Sequence, residues 1–165
     1  MLRFNHYNGS PTPIEKINTL YSLLKKGTKD YKRLSVGVEN KEMKTTILIL
    51  AQESNQYASD LNSLISSLKE RLQKNDAAET ESNLTHAFVN NDEEVFNFCH
   101  ITEEKVINAY REILNEPFLN VEFRKMISYQ LNGTLCSFMQ LKLMKILCNK
   151  RESNASKYFY IKTQY

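Results

Sequence analysis

Nine polar side chains recur near the middle of four apolar-periodic stretches: Thr28 and Asp30, Glu53 and Ser54, Thr102, Glu103 and Glu104, then Gln130 and Thr134. Acidic groups at one level of a helical assembly are the raw material of a metal centre, and Asp30, Glu53, Glu103 and Glu104 are the candidate ligands for iron or manganese. A di-metal centre in a four-helix bundle takes a carboxylate from each of two helices and a Glu-x-x-His from each of the other two. Two cations about 3.5–4 Å apart need several anionic oxygens to offset their charge and imidazoles to hold the geometry. The chain supplies only part of that set. Its second stretch reads Glu53-Ser-Asn-Gln56, with glutamine where histidine should stand. Its fourth offers Gln130 and Thr134, and no carboxylate between Glu122 and Glu152.

Other chemistries find less support. His100 is the only histidine inside a helical pattern and need not share a face with Thr102 and Glu103, while His6 and His86 fall in a tail and a loop. Cys99 and His100 are adjacent, and adjacent helical residues point about 100° apart, so they do not make a nucleophile and its base. The chain has no glycine-rich phosphate loop, no Gly-x-Ser-x-Gly and no Cys-x-x-Cys. The same mid-helix residues have a structural use. Small or polar groups such as Gly27, Ser54, Thr102 and Thr134 let helices approach and fix their register by hydrogen bonding. Tyr31 and Tyr57 can fill the central space and offer hydroxyls to Glu53 and Glu103, which flank the seam where charges normally reach solvent. The expectation is a plugged, metal-free and non-catalytic core with a polar layer of Ser54, Thr102, Gln130, Thr134, Tyr31 and Tyr57, needing no cofactor.

Long helices must position these groups. Met43, Ile47, Leu50, Ser54, Tyr57, Leu61, Leu64 and Leu68 repeat in steps of four and three, the spacing of one helix face. A helix of about 30 residues is roughly 45 Å long and needs other long helices beside it. A first helix is expected from about 13 to 37. Thr12 is its cap, Pro13 its first residue, and Glu15 completes a capping box. Its seam is Ile17, Leu20, Leu24, Gly27, Tyr31, Leu34 and Val38, with Gly37 as the stop. The second helix is expected over 41–73 and is antiparallel to the first because the connection is short. A polar stretch near 75–90 follows, in which Leu84, Phe88 and Val89 are expected to pack. Helices over 92–115 and 118–149 complete the set, with Asn91 or Asp92 capping the third. Val95, Cys99, Thr102, Val106, Ala109 and Ile113 form the third seam. The fourth is Val121, Ile127, Leu131, Leu135, Phe138, Leu141 and Met144. Short, long, short connections describe two antiparallel helical hairpins joined by a long crossover. The fold expected is therefore all-α, a ferritin-like four-helix bundle in a single domain over 1–150, followed by an aromatic tail at 151–165.

Specific strings carry a resemblance. Leu23-Leu-Lys-Lys-Gly-Thr-Lys-Asp-Tyr31, Leu50-Ala-Gln-Glu-Ser-Asn-Gln-Tyr-Ala-Ser-Asp-Leu61, Asn91-Asp-Glu-Glu and Glu103-Glu-Lys-Val-Ile-Asn-Ala-Tyr-Arg-Glu-Ile-Leu114 are similar to a bacterial family of ferritin-like four-helix proteins of unknown function. The resemblance covers about residues 14–148. It implies a cytoplasmic bundle with no established reaction and, by analogy, a place in stress physiology. It also implies that relatives often carry glutamate where this chain has Lys29, an ammonium that would oppose a second cation.

Composition agrees with a folded domain: 41% hydrophobic and 25% charged residues argue against disorder. A net charge of +3 is too small to imply a nucleic-acid partner, although lysines cluster from Lys25 to Arg33 and from Lys142 to Lys162. Cys99, Cys136 and Cys148 sit in helical patterns and read as thiols of a reducing compartment. The start of the chain has no apolar run of signal-peptide length and no span approaches membrane length, so a cytoplasmic protein with no membrane partner is expected. Tyr158, Phe159, Tyr160, Ile161 and Tyr165 are too apolar for an idle terminus. They are expected to dock on the bundle or on a second subunit of a homodimer. The alternatives to a structural role are an iron- or manganese-binding bundle with redox or storage activity, using Asp30, Glu53, Glu103 and Glu104, and a protein-interaction module using the tail.

Overall fold

The computed structural model describes residues 11–72, 91–117 and 119–162, with side chains placed over 11–66, 91–117, 119–147 and at 150. Four helices and no strand occur among the described residues: α1 (Pro13–Val36), α2 (Lys41–Leu72), α3 (Asp92–Leu114) and α4 (Val121–Lys162). None of them is long and apolar enough to cross a membrane.

Local chemistry sets the ends. The Thr12 N–H donates to Glu15 Oε2 at 2.6 Å and the Glu15 N–H to Thr12 Oγ1 at 3.3 Å, closing the expected capping box ahead of Pro13. Asn91 Oδ1 accepts from the Glu94 N–H at 2.8 Å and caps α3. Asn40 Oδ1 accepts from the N–H groups of Glu42 and Met43, both at 3.0 Å, and starts α2 within four residues of the end of α1. Asn120 Oδ1 accepts from the Phe123 N–H at 2.8 Å, so α4 begins at Val121 and not at 118. Each side-chain acceptor satisfies a backbone donor that the first helical turn leaves unpaired.

Two long-range contacts fix the directions. The Glu39 N–H donates to Asp92 Oδ1 at 3.4 Å, which places the start of α3 beside the α1–α2 turn. Lys16 Nζ meets Glu116 Oε1 at 2.5 Å, placing the end of α3 beside the start of α1. Helix α1 packs on α2 and α3, and α4 packs on the same two, so α1 and α4 are diagonal. The chain therefore runs up, down, down, up, and residues 73–90 join opposite ends of the bundle.

The buried residues form two apolar cores. A head core near the α1–α2 turn gathers Leu34, Met43, Ile47, Val95 and Phe138. A base core gathers Ile17, Leu20, Leu61, Ile113 and Ile127. The expected α1 seam is buried throughout. On α2 the heptad holds to Leu61, then Ile65 is buried while Leu64 is half-buried. The cause is the 3.6-residue turn, which gains about 20° per heptad on a 3.5 repeat.

Helix α4 departs from the expected reading in two ways. Val121 is exposed and Leu131 and Leu135 are half-buried, whereas Phe123, Gln130, Thr134 and Ser137 point inward. Ile127, Phe138 and Leu141 of the expected seam are buried, so the seam is offset only at Val121, Leu131, Leu135 and Met144, because the apolar residues of α4 lie on two faces. The helix also continues to Lys162, well past 149. No glycine or proline follows Gly133 in the sequence, and the fading of apolar residues is no stop signal by itself. The expected packing of Leu84, Phe88 and Val89, and the contacts of Tyr158, Phe159, Tyr160, Ile161 and Tyr165, lie outside the described side chains.

The drift along α2 gives a stability test. Leu61→Ala should lower the free energy of unfolding by about 2–4 kcal/mol, and Leu64→Ala by clearly less, because only the first leaves a buried cavity. Urea titration checks this; equal losses at the two positions would contradict the rotation of α2.

Candidate functional site

Between the two cores lies a polar layer, contributed by all four helices. Gly27 and Thr28 come from α1, Ser54 and Tyr57 from α2, Glu103 and Tyr110 from α3, and Gln130, Thr134 and Ser137 from α4; all are buried. Helical turns bring in their polar stripes together: residues 130, 134 and 137 share one face of α4 by the i, i+4, i+7 spacing. Most of the expected polar layer is thus interior. Thr102 is not part of it; its side chain is half-buried and its hydroxyl bonds back to the Phe98 carbonyl at 2.9 Å.

Hydrogen bonds tie the layer across helices. Tyr110 donates its hydroxyl to Gln130 Oε1 at 3.3 Å. Gln130 Nε2 donates in turn to Asp60 Oδ2 at 3.2 Å, and Gln56 Nε2 donates to Asp60 Oδ1 at 3.0 Å. Ser137 Oγ donates to Glu53 Oε2 at 2.6 Å, a short, charge-assisted bond. Among the described residues no buried side-chain nitrogen or oxygen lacks a partner. Tyr31 packs edge-on against Phe138 with ring centroids 6.5 Å apart.

Two glycines make room for tyrosine rings. A Cβ at Gly27 would stand 3.2 Å from the Tyr31 ring, and one at Gly133 would collide with the Tyr57 hydroxyl. Glycine inside a helix costs about 1 kcal/mol relative to alanine. Its presence at both positions is explained by these close approaches.

The candidate carboxylates are dispersed rather than gathered. Glu53 lines a central cavity of about 10 Å³ together with Ser54, Tyr57, Thr134, Gly27 and Tyr31. Glu103 and Glu104 instead line an open groove between α3 and α4, with His100, Arg111 and Lys142. Asp30 faces Arg33 on its own helix at 3.4 Å. No group of three or more His, Cys, Asp or Glu side chains that could hold a metal occurs among the described residues. The donor set does not fit a di-metal centre: one carboxylate is held by a serine hydroxyl and another by a lysine ammonium.

Glu103 corrects the expectation that it reaches solvent. It is 6% exposed, with Lys142 Nζ 2.8 Å from Oε1 and His100 Nδ1 3.4 Å from Oε2. The i, i+3 spacing does bring His100 to Glu103, although nothing in the sequence showed Lys142 coming from α4 to meet it. Sequence reasoning also missed Tyr110, Asp60 and Ser137. Their signal was present in the four-residue spacing of Gln56 and Asp60, and in the Gln130-Thr134-Ser137 stripe.

Burial dominates the titration of the interior hydroxyls and thiol. It raises Tyr57 to about 12, helped by the negative charges of Glu53 and Asp60. Burial also raises Tyr110, and raises Tyr31 well above the usual phenol range. The Cys99 thiol is pushed up to about 12 by burial.

Two predictions follow from this geometry. Gly133→Ala should destabilise the protein by about 1–3 kcal/mol through overpacking, and Tyr57→Phe should relieve part of that loss by deleting the colliding oxygen. Thermal unfolding of the two single variants and the double variant measures the coupling; strict additivity would refute the contact. Alkaline stability follows from the raised values. Cys99 and Tyr57 ionise in the unfolded chain near 9 and 10 but in the folded protein only near 12. Their contribution is complete below pH 9 and is lost as pH rises from about 9 to 12. Unfolding midpoints should fall across that window, and less steeply in Tyr57→Phe; a flat profile would exclude the buried-neutral assignment.

Comparison with known proteins places the chain without assigning a reaction. No curated protein matches it. The family described as Domain of unknown function (DUF2383) matches residues 12–116, which span α1, α2 and α3. That match covers more than half of the sequence, and the chain belongs to the DUF2383 family.

Proposed function

We propose that the protein is a ferritin-like bundle of the cytoplasm that works as a structural, metal-free and non-catalytic unit, with a role in stress physiology. The up, down, down, up course of the helices supports the ferritin-like reading, since one crossover between two hairpins has that order. The cytoplasmic and stress assignments rest on the resemblance of the four quoted strings. The observation that carries the reading is the size of the central cavity, about 10 Å³, which Glu53 lines while its carboxylate accepts from Ser137. Such a space holds about one water, whereas two cations about 3.5–4 Å apart need far more.

A second reading has one observation in its favour. His100 and Glu103 approach within 3.4 Å beside Glu104 in the α3–α4 groove, an open place for a single iron or manganese ion. The ammonium of Lys142 at 2.8 Å from Glu103 opposes it.

Metal analysis of native protein, purified without a histidine tag or chelator and then incubated with ferrous iron, separates the two. The structural reading expects less than about a tenth of an equivalent of iron, manganese or zinc. One equivalent lost in Glu103→Ala would establish the groove site instead, and two equivalents lost in Glu53→Ala would overturn the plugged core.

A further inference from the structure

Helix α4 is apolar on the face turned away from its own bundle. Tyr129, Met139, Leu143, Ile146 and Leu147 are each more than half exposed, and Cys136 is exposed among them. Counted at 100° per residue, these six fall within an arc of about 100°, opposite Phe123, Ile127, Gln130 and Leu141. The five large side chains leave roughly 500 Å² bare in one stripe, which is at the upper end for a monomer and a major part of one partner's ~800 Å² share of a standard interface. A helix that is hydrophobic all round is normally buried all round.

The stripe also has a period and a polarity. Glu122, Tyr129, Cys136, Leu143 and Lys150 recur every seven residues, all on exposed positions. Opposite charges therefore stand at equal distances on either side of Cys136. An antiparallel copy centred there brings each Glu122 opposite the partner's Lys150 and each Tyr129 opposite the partner's Leu143. A parallel copy would set lysine against lysine and glutamate against glutamate. A twofold, self-complementary contact is the arrangement that one repeated patch can make with itself. The seven-residue spacing drifts by about 20° per heptad on a straight helix, the drift that supercoiling around a partner helix removes.

Length points the same way. The last described contact of α4 with its own bundle is Lys145, which pairs with Glu93 at 2.8 Å and lies over the Phe96 ring. The helix continues to Lys162, so it is longer than any other helix of the described residues.

We propose that the outer face of α4 is the surface on which a second copy of this chain docks, antiparallel and with the twofold axis passing close to Cys136. The proposal is independent of whether metal is bound. Sedimentation equilibrium on the full chain should give twice the monomer mass, and Met139→Glu combined with Leu143→Lys should halve it while circular dichroism keeps its helical signal. In a Cys148→Ser background, mild oxidation with diamide should join the two Cys136 thiols. Their two protons and two electrons pass to the diamide, and the disulfide-linked dimer disappears in Cys136→Ser. A monomeric native protein, or a dimer indifferent to the double substitution, overturns the proposal. A dimer broken by that substitution but never cross-linked through Cys136 overturns the antiparallel register.

Discussion

A fully buried amide has to be hydrogen-bonded, because leaving it unpaired costs about 1–3 kcal/mol. Gln130 is in that position, and its partners come from two other helices: the Tyr110 hydroxyl on α3 and the Asp60 carboxylate on α2. Sliding any one of these helices by a turn, about 5.4 Å, would break the set. Apolar packing above and below is far more permissive, since leucines and isoleucines accept several registers. The middle layer thus specifies how the four helices align, and the two apolar cores supply most of the energy that holds them there. Glycine at 27 and 133 belongs to the same device: Gly133 on α4 leaves room for the Tyr57 ring of α2, and Gly27 leaves room for the Tyr31 ring one turn on in its own helix.

Glu103 adds a second constraint. A carboxylate that is nearly inaccessible must be paired, and Lys142 reaches it from α4 across the α3–α4 contact. With Ser137 on Glu53 and Gln130 on Asp60, α4 also engages carboxylates of α2. Two of the four candidate carboxylates, Glu53 and Glu103, are thereby engaged between helices. Removing Lys142 would leave the buried Glu103 carboxylate without its cation, which is why such a pair acts as an alignment device more than as a source of net stability.

Much of this was legible in the residues. The seams of α1 and the first half of α2, the Thr12–Glu15 capping box and the Asn91 cap follow from periodicity and local hydrogen bonding, both of which act over a few residues. The course of α4 was legible only in part: Ile127, Gln130, Thr134, Phe138 and Leu141 are interior as expected, whereas Leu131 and Leu135 are half-buried and Phe123 and Ser137 were missed. Its rotation depends on which of two apolar faces meets α2 and α3, and that choice is made by Gln130, Thr134 and Ser137 finding partners on other helices. Glu103 was misjudged for the same reason: its counter-ion is 39 residues away in sequence. The family match ends at Glu116, before α4 begins, so it is silent on the helix that carries a third of the polar layer.

Dividing the apolar interior into two cores has a consequence for motion. The head and base cores are separate clusters that meet at the central cavity and the polar layer, so loosening one half leaves most contacts within the other in place. Opening events then come in at least two classes, each with its own free energy, in place of a single all-or-none event. Cys99 is wholly buried and belongs to the head core alone. Its thiol is therefore a natural clock for the breathing of that half, silent while the head is closed and blind to whatever the base does.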